Sequence, residues 1–105
     1  MSMVSDEYLK EMEERMKDPD VFLGYCKSHS QTPRALFHIK DVNRLCEMAG
    51  LPTYERVGNT NLYEKTNGSG ERIGKFRPIY YSEMEEVLEL IDKKKHRKAI
   101  EDTLN

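Results

Sequence analysis

Four side chains capable of metal binding or nucleophilic chemistry lie close together in the chain: Cys26, His29, His38 and Cys46. Cys26-x-x-His29 has the spacing of a zinc-ligand pair, but His38 and Cys46 are separated by seven residues, too far for the usual second pair. Cys46 also falls on the apolar side of an expected helix with Val42, Leu45 and Ala49, where a buried free thiol is ordinary. The strongest enzymatic arrangement would pair Cys26 with His29 or His38 as thiol and imidazole. A cysteine among apolar helical residues, however, lacks the electropositive, partly exposed surroundings that activate a thiol. No Ser-His-Asp set can be placed, and the carboxylates cluster on expected helix surfaces. The sequence therefore predicts no enzyme: no catalytic residue, no metal and no cofactor.

The second candidate is the glycine-rich stretch "TNGSGERIGKF" at residues 66–76, which ends in a Gly-Lys pair. A phosphate-binding loop needs four residues between its first glycine and the Gly-Lys, then Ser or Thr. Here five residues separate Gly68 from Gly74, and Phe76 follows Lys75. Three residues separate Gly70 from Gly74, where a dinucleotide fingerprint needs two. The following "KFRPIYY" is β-like rather than helical, so the stretch reads as a β-hairpin tip.

Ser5 can cap a first helix running to about Lys17, with Tyr8, Leu9, Met12 and Met16 on one face. Asp18-Pro19 opens a second helix whose apolar side is Val21, Phe22, Tyr25 and Cys26, broken by "HSQTP". Asp41 starts a third helix through Ala49, ended by Gly50. "LPTYERVG" is read as one or two further helical turns before Gly58. Leu62 to Tyr81 then carries a hairpin signal around "NGSG". Ser82 and Glu85 form a capping box for a last helix bearing Met84, Val87, Leu88 and Ile91. Beyond Asp92 the basic run "KKKHRK" has little apolar support until Ile100. The expected core includes Leu9, Met12, Phe22, Leu36, Val42, Leu45, Ile79, Val87, Leu88 and Ile91.

The expected architecture is thus one α+β domain over residues 1–105. N-terminal helices occupy 1–30, a helix-turn-helix with a wing-like hairpin 39–91, and a helical extension 92–105. A helix pair followed by a hairpin is the order of a winged helix-turn-helix, whose second helix enters the major groove while the wing touches phosphates. On that plan Thr53, Tyr54, Arg56, Asn59 and Asn61 lie near the groove, because Arg and Asn suit bidentate base contacts. Lys65, Arg72, Lys75 and Arg77 lie along the wing and supply the salt-sensitive part of binding.

"IKDVNRLCEMAGLPTYERV", the hairpin, and "RPIYYSEMEEVLELI" together resemble the DNA-binding head of MerR-type regulators and phage excisionases. There an "AKxxGVSxxTLRYYE"-like helix pair leads into a wing closing on "RxYSEEDLxxL". The resemblance spans residues 39–91 and is best at Tyr81-Ser82-Glu83. It implies a small DNA-binding regulator, of phage or mobile-element type, acting on double-stranded DNA. Gly58 and Asn59 depart from the pattern and would shorten the recognition helix.

Composition bounds the alternatives. The 105 residues suit one modest core, and the net charge is −2. Residues 1–20 carry three Lys/Arg against seven Asp/Glu, residues 27–81 nine against five, and residues 83–105 five against seven. A mildly basic middle between acidic ends permits nucleic-acid contact without the strongly basic footprint of many DNA-binding proteins. The apolar runs are too short for a transmembrane helix or a signal-peptide core, which predicts a cytoplasmic protein with no membrane partner. The same wing cations can instead be solvated strand charges, and Tyr54, Tyr63, Tyr80 and Tyr81 packing residues. The second function class is accordingly a phage-type inhibitor or adaptor that docks on another protein through its acidic first helix or its tyrosine-rich hairpin. A homodimer is open in either class.

Overall fold

Asp18 accepts the Asp20 N–H at 2.9 Å and Pro19 takes the first helical position, where its missing N–H leaves no bond unmade. That junction separates α1 (Asp6–Met16) from α2 (Pro19–Ser30), and Ser5 Oγ caps α1 by accepting the Tyr8 N–H at 3.1 Å. The computed structural model describes residues 5–104. Residues 1–4 and 105, the ends of the expected N-terminal helical region and C-terminal extension, lie outside it. The chain continues as β1 (Leu36–His38), α3 (Ile39–Ala49), β2 (Tyr54–Arg56), β3 (Tyr63–Lys65), β4 (Arg72–Ile73), β5 (Phe76–Pro78) and α4 (Tyr81–Leu104). Among the described residues this is an α+β architecture of four helices and two small antiparallel sheets.

Three elements differ from the sequence expectation. His38 rather than Asp41 sets the start of α3, its Nδ1 accepting the Lys40 N–H at 3.1 Å. Helix α4 begins at Tyr81, so Ser82 sits inside its first turn, and Met84 N–H donates to the Tyr80 carbonyl. The largest correction is at "TYERV", where strand β2 replaces the expected second helix of a helix-turn-helix. Gly50 (φ 73°) ends α3 in the left-handed region, and Leu51 N–H closes back on the Cys46 carbonyl at 2.8 Å. Leu51 precedes Pro52, a position that disfavours helix, and the β-prone Thr53 and Tyr54 follow. The chain therefore leaves α3 extended.

The expected hairpin is also divided. β3 and β4 pair around the "NGSG" tip, with Tyr63 opposite Ile73 and Glu64 opposite Arg72. β2 adds to the other side of β3, with Tyr54 opposite Lys65 and Arg56 opposite Tyr63. β5 leaves this sheet and pairs with β1, placing Leu36 opposite Pro78, Phe37 opposite Arg77 and His38 opposite Phe76. β1 went unpredicted because three residues are too few to show a period.

The core joins α2, α3, the first half of α4 and the inward residues of both sheets. Phe22, Cys26, Phe37, Ile39, Val42, Leu45, Tyr54, Ile79, Met84 and Ile91 are buried together. Each large apolar side chain so buried contributes about 1.5–3 kcal/mol. Val87 and Leu88 pack partly against this cluster, while Met12 is half-buried. Three expected core residues are not in the core: Met12 lies outside the cluster, Leu9 is 51% exposed and Leu36 52%. Strand alternation turns Phe37 inward and so sends Leu36 out. Leu9 stays open because α1 buries no residue of its own and packs on α2 at the edge of the domain. Arg44 ties that edge down. Its guanidinium lies 4.1 Å from the Phe22 ring centroid and donates to the Met16 carbonyl at 2.7 Å, at the end of α1.

α4 runs for 24 residues, about 36 Å of helix. Ile91 is its last buried residue, and residues 92–104 are all exposed. No helix among the described residues is long and apolar enough to cross a membrane.

Candidate nucleic-acid interface

The cysteines and histidines are engaged separately. His29 Nε2 lies 2.9 Å from the Leu36 carbonyl, and its ring stacks on Tyr25 at 5.4 Å and meets Phe37 edge-on. His38 uses Nδ1 to cap α3 and meets the Phe76 ring edge-to-face at 5.3 Å. Cys26 is fully buried, and burial, helped by the Asp41 carboxylate, pushes its thiol up to about 12. Burial also raises the Cys46 thiol. Among the described residues, no three His, Cys, Asp or Glu side chains come together as a metal-holding group.

The glycine-rich stretch is a hairpin tip. Gly68 and Gly70 both have φ near 80°, Asn67 Oδ1 accepts the Ser69 N–H at 3.0 Å, and Lys65 N–H donates to the Glu71 carbonyl at 2.9 Å. Strands, not a helix, follow the glycines.

The residues expected to contact DNA divide into three groups. Arg56, Asn59 and Asn61 lie at the β2–β3 connection, at the opposite end of the three-stranded sheet from the tip; Arg56 Nε donates to the Thr60 carbonyl at 2.8 Å. Thr53 and Tyr54 serve structure: the Thr53 carbonyl accepts the Thr66 N–H at 2.9 Å, and Tyr54 is only 4% exposed. The Tyr54 hydroxyl donates to Glu71 Oε1 at 3.0 Å, and burial together with that bond pushes its pKa up to about 12. A ring so enclosed is unavailable to a base. The hairpin cations form the third group, and two of them already face carboxylates. Lys65 pairs with Glu71 at 3.4 Å and Arg72 with Glu64 at 3.3 Å. Arg77, opposite Phe37, is half-buried beside Cys46, Tyr54 and Glu83 in the cleft between the sheets and α4. Lys75 is exposed and enters no ion pair among the described residues.

Lys75 belongs to a surface that the sequence expectation did not single out. The outer face of the β1–β5 ribbon carries Leu36, His38, Phe76 and Pro78, the register partners that alternate with inward Phe37 and Arg77. Phe76 is 55% exposed, and Tyr80, two residues past Pro78, is 67% exposed. Lys40 and Lys75 stand at the His38–Phe76 end, where the Lys75 carbonyl accepts the Ile39 N–H at 2.8 Å. Arg34 stands at the other end, lining a groove of about 500 Å³ with Leu36, Pro78, Ile79 and Tyr80. Arg34 has φ 60°, a left-handed conformation uncommon outside glycine. The stretches that contain the ribbon strands, residues 21–40 and 72–82, hold six Lys/Arg and no Asp/Glu; Arg34, Lys40 and Lys75 stand at the ends of the ribbon, while Lys27 lies on α2, Arg72 on β4 and Arg77 turns inward. That gap between carboxylates was visible in the sequence, but only the pairing of β1 with β5 makes one surface of it.

A scan of family models, a search of curated proteins and a search of solved structures each gave no match to this chain.

Proposed function

We propose that this chain is a small nucleic-acid-binding protein without catalytic machinery, and that the β1–β5 ribbon is its principal contact surface. The observation that carries the proposal is the absence of any carboxylate from both ribbon segments of a protein whose net charge is −2. Positive charge segregated this way lowers the free energy of a polyanion at one face while the rest of the surface repels it. The order α3, hairpin, α4 supports the winged part of the resemblance to MerR-type regulators and excisionases. Base reading by a helix in the major groove forms no part of the proposal, since β2 occupies the place of that helix. The Cys26 thiol, which burial holds in its protonated and unreactive form, and the engaged histidine nitrogens are the support for a non-enzymatic role.

The test is fluorescence anisotropy with labelled random-sequence duplex and single-stranded DNA across a salt series. Binding whose log affinity falls linearly with log salt is expected. No salt-dependent binding to either at near-physiological ionic strength would end the proposal. Docking on another protein then becomes the better function, favoured by the apolar lining of the Leu36–Pro78–Tyr80 groove.

A further inference from the structure

We infer that the outer face of the β1–β5 ribbon is a stacking platform for single-stranded nucleic acid, with Phe76 and Tyr80 as the base-stacking rings and Arg34, Lys40 and Lys75 as phosphate contacts. The inference rests on the nucleic-acid function proposed above and narrows its ligand from any nucleic acid to unpaired strands. Its ground is the order of groups along the face. Cations stand at both ends, with exposed rings between them. Phe76 and Tyr80 stand four positions apart, which spans at most roughly 13 Å of chain, enough for a few splayed nucleotides. A polyanion with flat apolar units between its charges matches this order, whereas a duplex hides its base faces inside the stack. The platform is partly preorganised. His38 holds Phe76 edge-to-face at 5.3 Å while its own Nδ1 caps α3, so the ring that meets the base is braced by a helix terminus. Arg34 is held by a backbone conformation that is strained for a side-chain-bearing residue, of the kind concentrated at ligand sites. None of the three cations enters an ion pair among the described residues, so phosphate contact breaks no existing pair.

The chain contains no Trp, so Phe76→Trp places a single reporter on the platform. Titration with oligothymidylate should quench its fluorescence, and a duplex of random sequence should quench it far less. By anisotropy, Phe76→Ala and Tyr80→Ala should each weaken oligothymidylate binding roughly five- to a hundredfold, and Phe76→Tyr should retain it. Three neutralised phosphates give a log–log salt slope of roughly −2 for a single strand. Melting temperatures of the alanine variants should stay near wild type, because both rings are more than half exposed. Duplex bound as tightly as oligothymidylate, or alanine variants that bind like wild type, would overturn the platform while leaving nucleic-acid binding standing. Polyglutamate bound as tightly as oligothymidylate would also overturn it, in favour of an acidic protein partner. No binding to either nucleic acid would remove both the platform and the function on which it rests.

Discussion

Asn43 on α3 satisfies both backbone polar groups of Tyr54: its amide oxygen accepts the Tyr54 N–H at 2.8 Å, and its NH2 donates to the Tyr54 carbonyl at 2.9 Å. One side chain thereby does for the outer edge of β2 what a neighbouring strand would do. It also fixes the point at which the chain turns from helix into sheet. Asn43→Ala leaves two part-buried backbone groups unpaired, a loss of about 1–3 kcal/mol. The urea midpoint should fall with an unchanged slope, and the Tyr54 amide should exchange faster. A change below about 0.5 kcal/mol would show that water replaces the clamp.

The buried Cys26 thiol and the Tyr54 phenol make the fold sensitive to alkali. Both groups hold their protons more tightly when folded, at about 12 against ordinary values of 9.0 for Cys26 and 10.0 for Tyr54. Their neutral forms therefore stabilise the fold fully below the unfolded pKa, and that contribution is lost as pH climbs towards 12. Each group adds a slope of up to about 1.4 kcal/mol per pH unit within its window. Urea unfolding should show flat stability near neutrality, decline from about pH 9, and steeper decline above about pH 10. Cys26→Ala should shrink the first phase to the part owed to the Cys46 thiol, which burial also raises, and keep the second. Glu71 acts at the other extreme: its bond from the Tyr54 hydroxyl holds its carboxyl below the usual range, so that contribution is lost only as pH falls beneath the ordinary value of 4.5.

Caps and long apolar periodicities made the helical frame legible in the sequence. Ser5, Asp18-Pro19 and Gly50 lie where local chemistry puts them, and Met84 and Ile91 are buried on the expected face of α4. The sheet was illegible for a different reason. Leu36-Phe37-His38 and Tyr54-Glu55-Arg56 are three residues each, and their strand state is set by distant partners: β5 for the first, Asn43 and β3 for the second. The expected binding residues followed from assigning "TYERV" to a helix. Once Tyr54 is seen in the core and Lys65 and Arg72 beside carboxylates, only part of that set remains accessible. Arg34, Lys40 and Phe76 were missed because residues far apart in sequence form their surface.

Arg34 offers a separation of stability from binding. A left-handed backbone at a residue with a Cβ is strained by roughly 1–2 kcal/mol, and glycine removes that strain while gaining unfolded-state entropy of about 0.4–1 kcal/mol. Arg34→Gly should therefore be more stable than Arg34→Ala by roughly 1 kcal/mol, read as a higher urea midpoint. Both variants should lose the same affinity for oligothymidylate, since both lose the same charge. Equal stability of the two variants would mean that the loop relaxes to another conformation.

The ion pairs on the hairpin predict which cations are free to meet phosphate. Arg72 lies 3.3 Å from Glu64, and across the sheet Glu64 faces Glu55, so its carboxylate stands in an acidic pair that favours keeping Arg72. Lys75 is in no ion pair among the described residues. A cation that must leave a carboxylate to reach a phosphate releases little net counterion. Lys75→Ala should thus reduce the log–log salt slope by roughly 0.7–0.9 units, the value of one phosphate contact, while Arg72→Ala reduces it by less than about half as much. Glu64→Gln removes the competitor and should tighten binding and steepen the slope, and Arg72→Ala in that background should then cost as much as Lys75→Ala. Stability should move by less than about 0.5 kcal/mol throughout, because these side chains are largely solvent-facing. Equal slopes for Arg72→Ala and Lys75→Ala in the otherwise unaltered protein would show that the pair opens freely and that the hairpin contributes to the contact as fully as the ribbon.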